Sequence, residues 1–210
     1  WILSSGTIFS YNDITSFVFN SYGSESITLA LETQNGCLDS ITKQVIINAL
    51  PVADAGTDQD ICPGSSVQIG VAPTAGFTYS WTPTAGLSNA NIANPIATPT
   101  APTTYTVQIT ETATGCVNTD AMNITFNAVP TPTFTVSNTC INQITAFTDA
   151  STIATGSITA WAWDFDDAGA TSTVQNPTHQ FSAAGTYQVK LVVTSDLGCK
   201  DSITTPITID

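Results

Sequence analysis

Three kinds of residue in this chain have types and spacings that could do chemistry. Asp164, Asp166 and Asp167 form its densest acidic group, and clustered carboxylate oxygens are what a hard cation such as calcium takes as ligands. The opposing reading is a turn whose aspartates accept from local backbone amides; no D-x-D-x-D-G loop is present, and the turn is preferred. His179 is the only histidine. A Ser-His-Asp arrangement around it would need a nucleophile elbow or an equivalent constellation, and the sequence carries no comparable signal for catalysis. The rings of Trp161 and Trp163 could stack on pyranose faces if exposed. Their alternation within Trp161-Ala-Trp-Asp-Phe165 argues for core instead, which leaves Trp81 and Phe77 as the aromatics that could revive a sugar platform. Five cysteines complete the inventory; with no C-x-x-C and a histidine far from any of them in the repeat pattern, zinc is disfavoured.

The elements that must position these groups are strands. Trp161, Trp163 and Phe165 are spaced by two, so one face of a strand carries all three and must be buried. Thr contributes 37 residues and Pro plus Gly 24, while charged residues are scarce, a balance that favours strands and turns. Alternating runs such as Thr104-Tyr-Thr-Val-Gln-Ile109, in a chain that is 42% apolar, exclude disorder. The expected class is all-β, and 210 residues suit two small sandwiches plus a remainder.

Three Lys, no Arg and 16 acidic residues give a net charge of −13. It is spread as −3, −5 and −5 over residues 1–50, 51–130 and 131–210. Such a surface repels phosphate backbones and anionic headgroups, which argues against nucleic acid as a partner. No apolar run approaches the ~20 residues of a membrane span, so direct membrane insertion is not expected. The chain opens at Trp1 without a basic n-region or cleavage site, and is expected to be an internal piece of something longer.

An internal repeat organises the whole. An ungapped offset of 162 maps Trp1 on Trp163, Leu3 on Phe165, Phe19 on Phe181, Gly23 on Gly185, Leu29 on Leu191, Cys37 on Cys199 and Asp39-Ser-Ile41 on Asp201-Ser-Ile203. Residues 1–50 are therefore expected to be the C-terminal part of a truncated domain. Residues 51–129 form a second unit, with Phe77-Thr-Tyr-Ser-Trp81 as its central aromatic strand and a proline-rich loop from Thr82 to Pro102. Residues 130–210 form the third. Cys62 and Cys116 sit early and late in the second unit, Cys140 and Cys199 correspondingly in the third, and Cys37 late in the first. This predicts disulfides Cys62–Cys116 and Cys140–Cys199, with a partner for Cys37 before residue 1, and an oxidising compartment.

Trp163-Asp-Phe-Asp-Asp-Ala-Gly169, Asn176-Pro-Thr-His-Gln-Phe181 and Gly185-Thr-Tyr-Gln-Val189 resemble the PKD domain, an immunoglobulin-like β-sandwich of extracellular proteins with the pattern W-x-F-G-D-G, N-P-x-H-x-Y and G-x-Y-x-V. Asp166 and Ala168 stand where that family more often has glycine, which predicts a less tight turn. The second unit, through Ala53-Asp-Ala-Gly56, Ile61-Cys-Pro-Gly64, Tyr79-Ser-Trp81, Gly86-Leu-Ser88 and Thr104-Tyr-Thr-Val107, is similar to divergent PKD-like repeats of large Bacteroidota surface proteins, including gliding-motility adhesins. The resemblance implies that His179 belongs to a structural strand-entry motif and that some members bind calcium. It also implies that Ser40 and Ser202, in Asp-Ser-Ile contexts, match sites this lineage O-glycosylates on exported proteins; an unmodified strand-start serine is the competing reading. Asn123-Ile-Thr125 fits the N-glycosylation pattern but carries meaning only on a eukaryotic secretory route. The second unit holds no lysine, which excludes a Lys–Asn isopeptide crosslink within it.

These readings converge on a non-catalytic segment of tandem immunoglobulin-like sandwiches, exported to the bacterial surface, with no cofactor beyond the calcium candidate. Its role would be stalk and adhesion module of a large adhesin. Partners would be neighbouring repeats of the same chain, surface polysaccharide or other cell-envelope proteins. The alternative is an accessory carbohydrate- or protein-binding module of a large secreted hydrolase.

Overall fold

In the computed structural model, which describes residues 2–3 and 18–210, every regular element is a strand. The first group holds β1 (Ile2–Leu3), β2 (Gly23–Glu32) and β3 (Leu38–Ile47), hydrogen-bonded in the order β1-β2-β3. The second holds β4 (Gln59–Ile61), β5 (Val67–Gln68), β6 (Phe77–Thr82), β7 (Ile96–Ala97), β8 (Thr103–Glu111) and β9 (Val117–Phe126), in sheets β4-β9-β8-β6 and β5-β7. The third holds β10 (Phe134–Ser137), β11 (Thr145–Asp149), β12 (Ile158–Asp164), β13 (Thr171–Ser172), β14 (Thr178–His179), β15 (Gly185–Ser195) and β16 (Lys200–Ile209), in sheets β10-β11-β14 and β13-β12-β15-β16.

Period-two patterning builds each core. In β8 the side chains of Tyr105, Val107 and Ile109 are buried while Thr104 and Gln108 face solvent, and in β15 Val189, Leu191 and Val193 alternate with exposed Gln188 and Lys190. These faces close two separate apolar clusters, one around Trp81, Tyr105, Met122 and Ile124, the other around Phe147, Trp163, Phe165 and Leu191. Two cores within one chain of this length are what a pair of β-sandwiches requires.

The indole nitrogens show how alike the two are. Trp81 Nε1 donates to Ile92 O at 2.9 Å and Trp163 Nε1 to Val174 O at 3.0 Å, each eleven residues downstream. A buried indole N–H needs an acceptor, and both sandwiches supply it from a backbone carbonyl in the segment between the central strand and the next long strand. Trp81 is 1% exposed, which removes it as a sugar platform, and Phe77 is half-buried. Trp161 lies on the face of Trp163 and Phe165, as its spacing requires, but stays half-buried, with Nε1 donating to Asp149 Oδ2 at 2.7 Å.

The repeat at offset 162 extends to hydrogen-bond register. Ile2 opposes Thr28 as Asp164 opposes Lys190, and Gly23 opposes Ile47 as Gly185 opposes Ile209. Among the described residues no second sheet covers β2 and β3. Val45 and Ile47 are accordingly only half-buried, where their equivalents Ile207 and Ile209 are buried. Trp1, expected to match Trp163, lies outside the described residues. The junction prolines Pro51, Pro130 and Pro132 are buried, and Pro51 O accepts from Asn118 Nδ2 at 2.8 Å.

Candidate functional site

The acidic turn after β12 gathers most of the residues singled out by type. Phe165 N–H donates to Ala170 O and Ala170 N–H to Asp167 O, closing a loop in which Asp166 and Ala168 both have positive φ, 57° and 49°. The two non-glycine residues adopt the left-handed backbone that glycine would take without strain. Replacing Ala168 by glycine is therefore expected to raise the stability of the third sandwich by about 0.5–1 kcal/mol, the relieved strain being partly offset by unfolded-chain entropy. A thermal melt in which Ala168→Gly gains nothing would contradict this.

Each aspartate of the turn is engaged separately. Asp164 Oδ1 accepts the N–H of Asp166 at 3.0 Å, and Asp166 Oδ2 reaches across to accept the N–H of Gln188 at 2.9 Å. Asp167, 7% exposed, points inward: Oδ1 accepts the Ser182 hydroxyl at 2.6 Å, and Oδ2 meets Ser182 N–H at 3.1 Å and His179 Nε2 at 2.9 Å. The Ser182 hydroxyl bond, followed by that from His179, holds its carboxyl below the usual carboxylate range against the opposing effect of burial. The three carboxylates thus serve different partners. Among the described residues no group of three or more His, Cys, Asp or Glu is arranged to hold a metal ion.

His179 is fixed from all sides. Its ring stacks on Phe165 with centroids 4.5 Å apart and planes 3° apart, and meets the Phe181 edge at 4.7 Å. Ser182, His179 and Asp167 do meet, but the serine hydroxyl donates to the aspartate rather than to the imidazole. The imidazole is therefore not placed to take that hydroxyl's proton, as the triad arrangement would require. The arrangement ties the entry of β15 to the turn after β12 through one buried anion.

A second, half-buried anion was not singled out from sequence. Asp149, at the end of β11, accepts from Trp161 Nε1, from Gln175 Nε2 at 3.1 Å and from Ser151 N–H at 3.0 Å, while its own N–H donates to Asn176 Oδ1. Burial pushes its carboxyl up, but the bonds from Ser151, Gln175 and Trp161 together bring it below the ordinary value. The available signal was the Asn176-Pro177 motif, whose asparagine caps this aspartate's backbone.

The cysteines depart from expectation most. Cys62 is bonded to Cys199 across the second and third sandwiches, and Cys37, Cys116 and Cys140 are free thiols. The predicted pairs Cys62–Cys116 and Cys140–Cys199 are excluded by strand length. Ile61 pairs with Phe126 at the end of β9, whereas Cys116 precedes its first residue. Asp210, following β16, bonds Thr139 and Ile141 on either side of Cys140, whereas Cys199 precedes β16. Each predicted pair is thus separated by a full strand, about 35 Å, and a disulfide spans no more than about 7 Å between Cα atoms.

Ser40 and Ser202 are exposed at equivalent positions of β3 and β16, each N–H bonded to the preceding aspartate's carboxylate, at 2.8 and 2.7 Å. Lys43 and Lys200 are exposed as well.

Comparison with known proteins gives this geometry a context. The PKD domain model matches residues 127–209, the whole of the third sandwich. The chain is 39% identical over 61 residues to Collagenase ColQ1 of Bacillus cereus (strain Q1), covering 29% of this chain and 6% of that protein. It is 41% identical over 67 residues to the microbial collagenase of Vibrio alginolyticus, covering 32% of this chain and 8% of that protein. The chain thus spans less than a tenth of the length of either relative. Among solved structures, the PKD1 domain of the Vibrio cholerae metalloprotease PrtV aligns at 32% identity and TM-score 0.37, over 39% of this chain and 98% of that one. The PKD1 domain of Vibrio anguillarum Epp aligns at 26% identity and TM-score 0.38, over 40% and 96%.

Proposed function

We propose that this chain is a non-catalytic accessory segment of a large secreted hydrolase, in which tandem sandwiches hold a catalytic domain against a fibrous protein substrate. The observation that carries this reading is the likeness of about 40% to two bacterial collagenases over a sandwich-sized stretch. The interior supports a scaffold role, because its histidine, the carboxylates of Asp149 and Asp167 and its indoles are spent on holding strands together. A carbohydrate platform gains no support: Trp81 and Trp163 are buried and Trp161 is half-buried. An extracellular, oxidising setting agrees with the disulfide.

The 210-residue chain, incubated with insoluble collagen fibrils and sedimented, is expected to partition with the pellet and to release no peptides. Equal recovery in the supernatant with and without fibrils would overturn the binding role, and peptide release would overturn the non-catalytic one.

The second reading, an extended stalk of a Bacteroidota gliding-type adhesin whose partners are neighbouring repeats and envelope components, is favoured by one observation. The covalent bond between consecutive sandwiches stiffens a rod more than it serves a loosely tethered module. Under either reading Ser40 and Ser202 are proposed O-glycosylation sites. Intact mass of the exported protein is expected to exceed the sequence mass by hexose units that vanish in the Ser40→Ala, Ser202→Ala variant, and an unmodified mass would dispose of the assignment. Calcium remains a proposal for the turn at Asp164, Asp166 and Asp167, read out by whether millimolar calcium shifts the melt.

A further inference from the structure

We propose that Cys62–Cys199 is one rung of a repeating clasp: the early cysteine of each sandwich bonds the hairpin cysteine of the sandwich that follows it, and Cys140, Cys116 and Cys37 are half-rungs whose partners belong to adjoining units of the same kind. The inference rests on the equivalence of positions rather than on any single thiol, and it is independent of the accessory-module reading.

The late cysteines share one hairpin. In the β2–β3 turn Thr33 N–H donates to Cys37 O and Gly36 N–H to Thr33 O. In the β8–β9 turn Glu111 N–H donates to Cys116 O and Gly115 N–H to Glu111 O. In the β15–β16 turn Ser195 N–H donates to Cys199 O and Gly198 N–H to Ser195 O. Each cysteine follows a glycine with positive φ, 79°, 73° and 80° respectively, which the reversal of the chain requires. The early cysteines share a different corner. Asn127 N–H donates to Ile61 O, the residue before Cys62, and Asp210 N–H donates to Thr139 O, the residue before Cys140. Asn127 and Asp210 each follow the last strand of their sandwich. Both corners then make the same turn, Ser65 N–H to Cys62 O and Gln143 N–H to Cys140 O.

Every sandwich of this design therefore carries its hairpin cysteine at one pole and its early cysteine at the other, where the chain leaves. Poles of opposite kind meet only between successive units, and at the one junction where both cysteines are present they are bonded. Cys140 is exposed at the leaving pole of the third sandwich, and Cys116 is half-buried at the entering pole of the second. The fitting partner of Cys140 is a Gly-Cys hairpin of a following sandwich; the fitting partners of Cys116 and Cys37 are early-corner cysteines of preceding ones. Each rung forms by thiol–disulfide exchange: two thiols become a disulfide, and their two electrons and two protons pass to the disulfide of a protein or small-molecule oxidant, which leaves as its dithiol.

The test is disulfide mapping under non-reducing conditions, with native thiols alkylated first, on both the secreted full-length protein and the 210-residue chain. In the isolated chain three cysteines are expected to be alkylated before reduction and all five after it. In the full-length protein Cys62–Cys199 is expected again, Cys140 joined to a downstream Gly-Cys cysteine, and Cys116 and Cys37 each joined to an upstream early cysteine. Recovery of Cys62–Cys116 or Cys140–Cys199 peptides from either sample would overturn the clasp. Cys140 and Cys116 recovered alkylated from the full-length protein would overturn its repetition.

Discussion

Replacing Cys62 and Cys199 together by serine is expected to split one coupled unfolding transition into two and to lower the first of them. The bond closes a sequence separation of 137 residues, for which the chain-entropy account gives about 5 kcal/mol as a ceiling. Most of that closed loop consists of the two sandwiches themselves. Each has its own apolar cluster, so each can unfold as a unit. With the bond in place, whichever sandwich opens first remains held by both ends against its folded neighbour, which limits the entropy it gains. Without the bond the less stable sandwich opens freely. Calorimetry of the parent, of the Cys62→Ser, Cys199→Ser variant and of the parent in reducing agent checks this. The latter two should coincide, with a clearly lower first midpoint than the parent, and superposable traces for all three would refute the coupling.

The second large effect concerns Asp167. Truncation to alanine leaves the Ser182 hydroxyl, the Ser182 N–H and His179 Nε2 without the anion they surround, and is expected to cost about 3 kcal/mol, confined to the third sandwich. Asparagine retains one accepting oxygen and should lose about half as much. Urea melts of the two variants check the order, and a wild-type midpoint for Asp167→Ala would show that the contacts contribute nothing net.

The same carboxyl predicts an acid response. Its folded value lies below the ordinary one, with the Ser182 hydroxyl bond as the main cause. Unfolding therefore takes up protons in acid, and the stability it confers is fully present above the ordinary value of about 3.9 and is lost as pH falls through the folded value. Asp149, lowered by its bonds from Ser151, Gln175 and Trp161 despite burial, adds a response of the same sign. Stability of the third sandwich should thus decline on acidification below about pH 4, and the decline should be shallower in Asp167→Asn.

Much of this molecule could be read from residue order because the deciding physics is local. Period-two alternation in β8, β12 and β15 is a property of adjacent residues, and the offset of 162 reproduces strand pairing because register follows the same hairpin wherever its residues recur. The all-β class and the burial of Trp163 and Phe165 came from those signals. The acidic turn was legible as a turn, since Asp favours one, but not as one that holds left-handed backbone at Asp166 and Ala168. There the anchoring of Asp167 by Ser182 and His179, residues remote in the chain, over-determines a conformation local preference would avoid.

Disulfide connectivity lay beyond the sequence altogether. Early and late cysteines look like partners when order along the chain stands in for distance, yet a ten-residue strand carries them to opposite poles. Residue order alone determined the strands, the repeat and the aromatic core of each sandwich. Tertiary structure alone decided which cysteines could meet, because a covalent bond tests proximity in space, and strands of ten residues place the cysteines of one sandwich out of each other's reach.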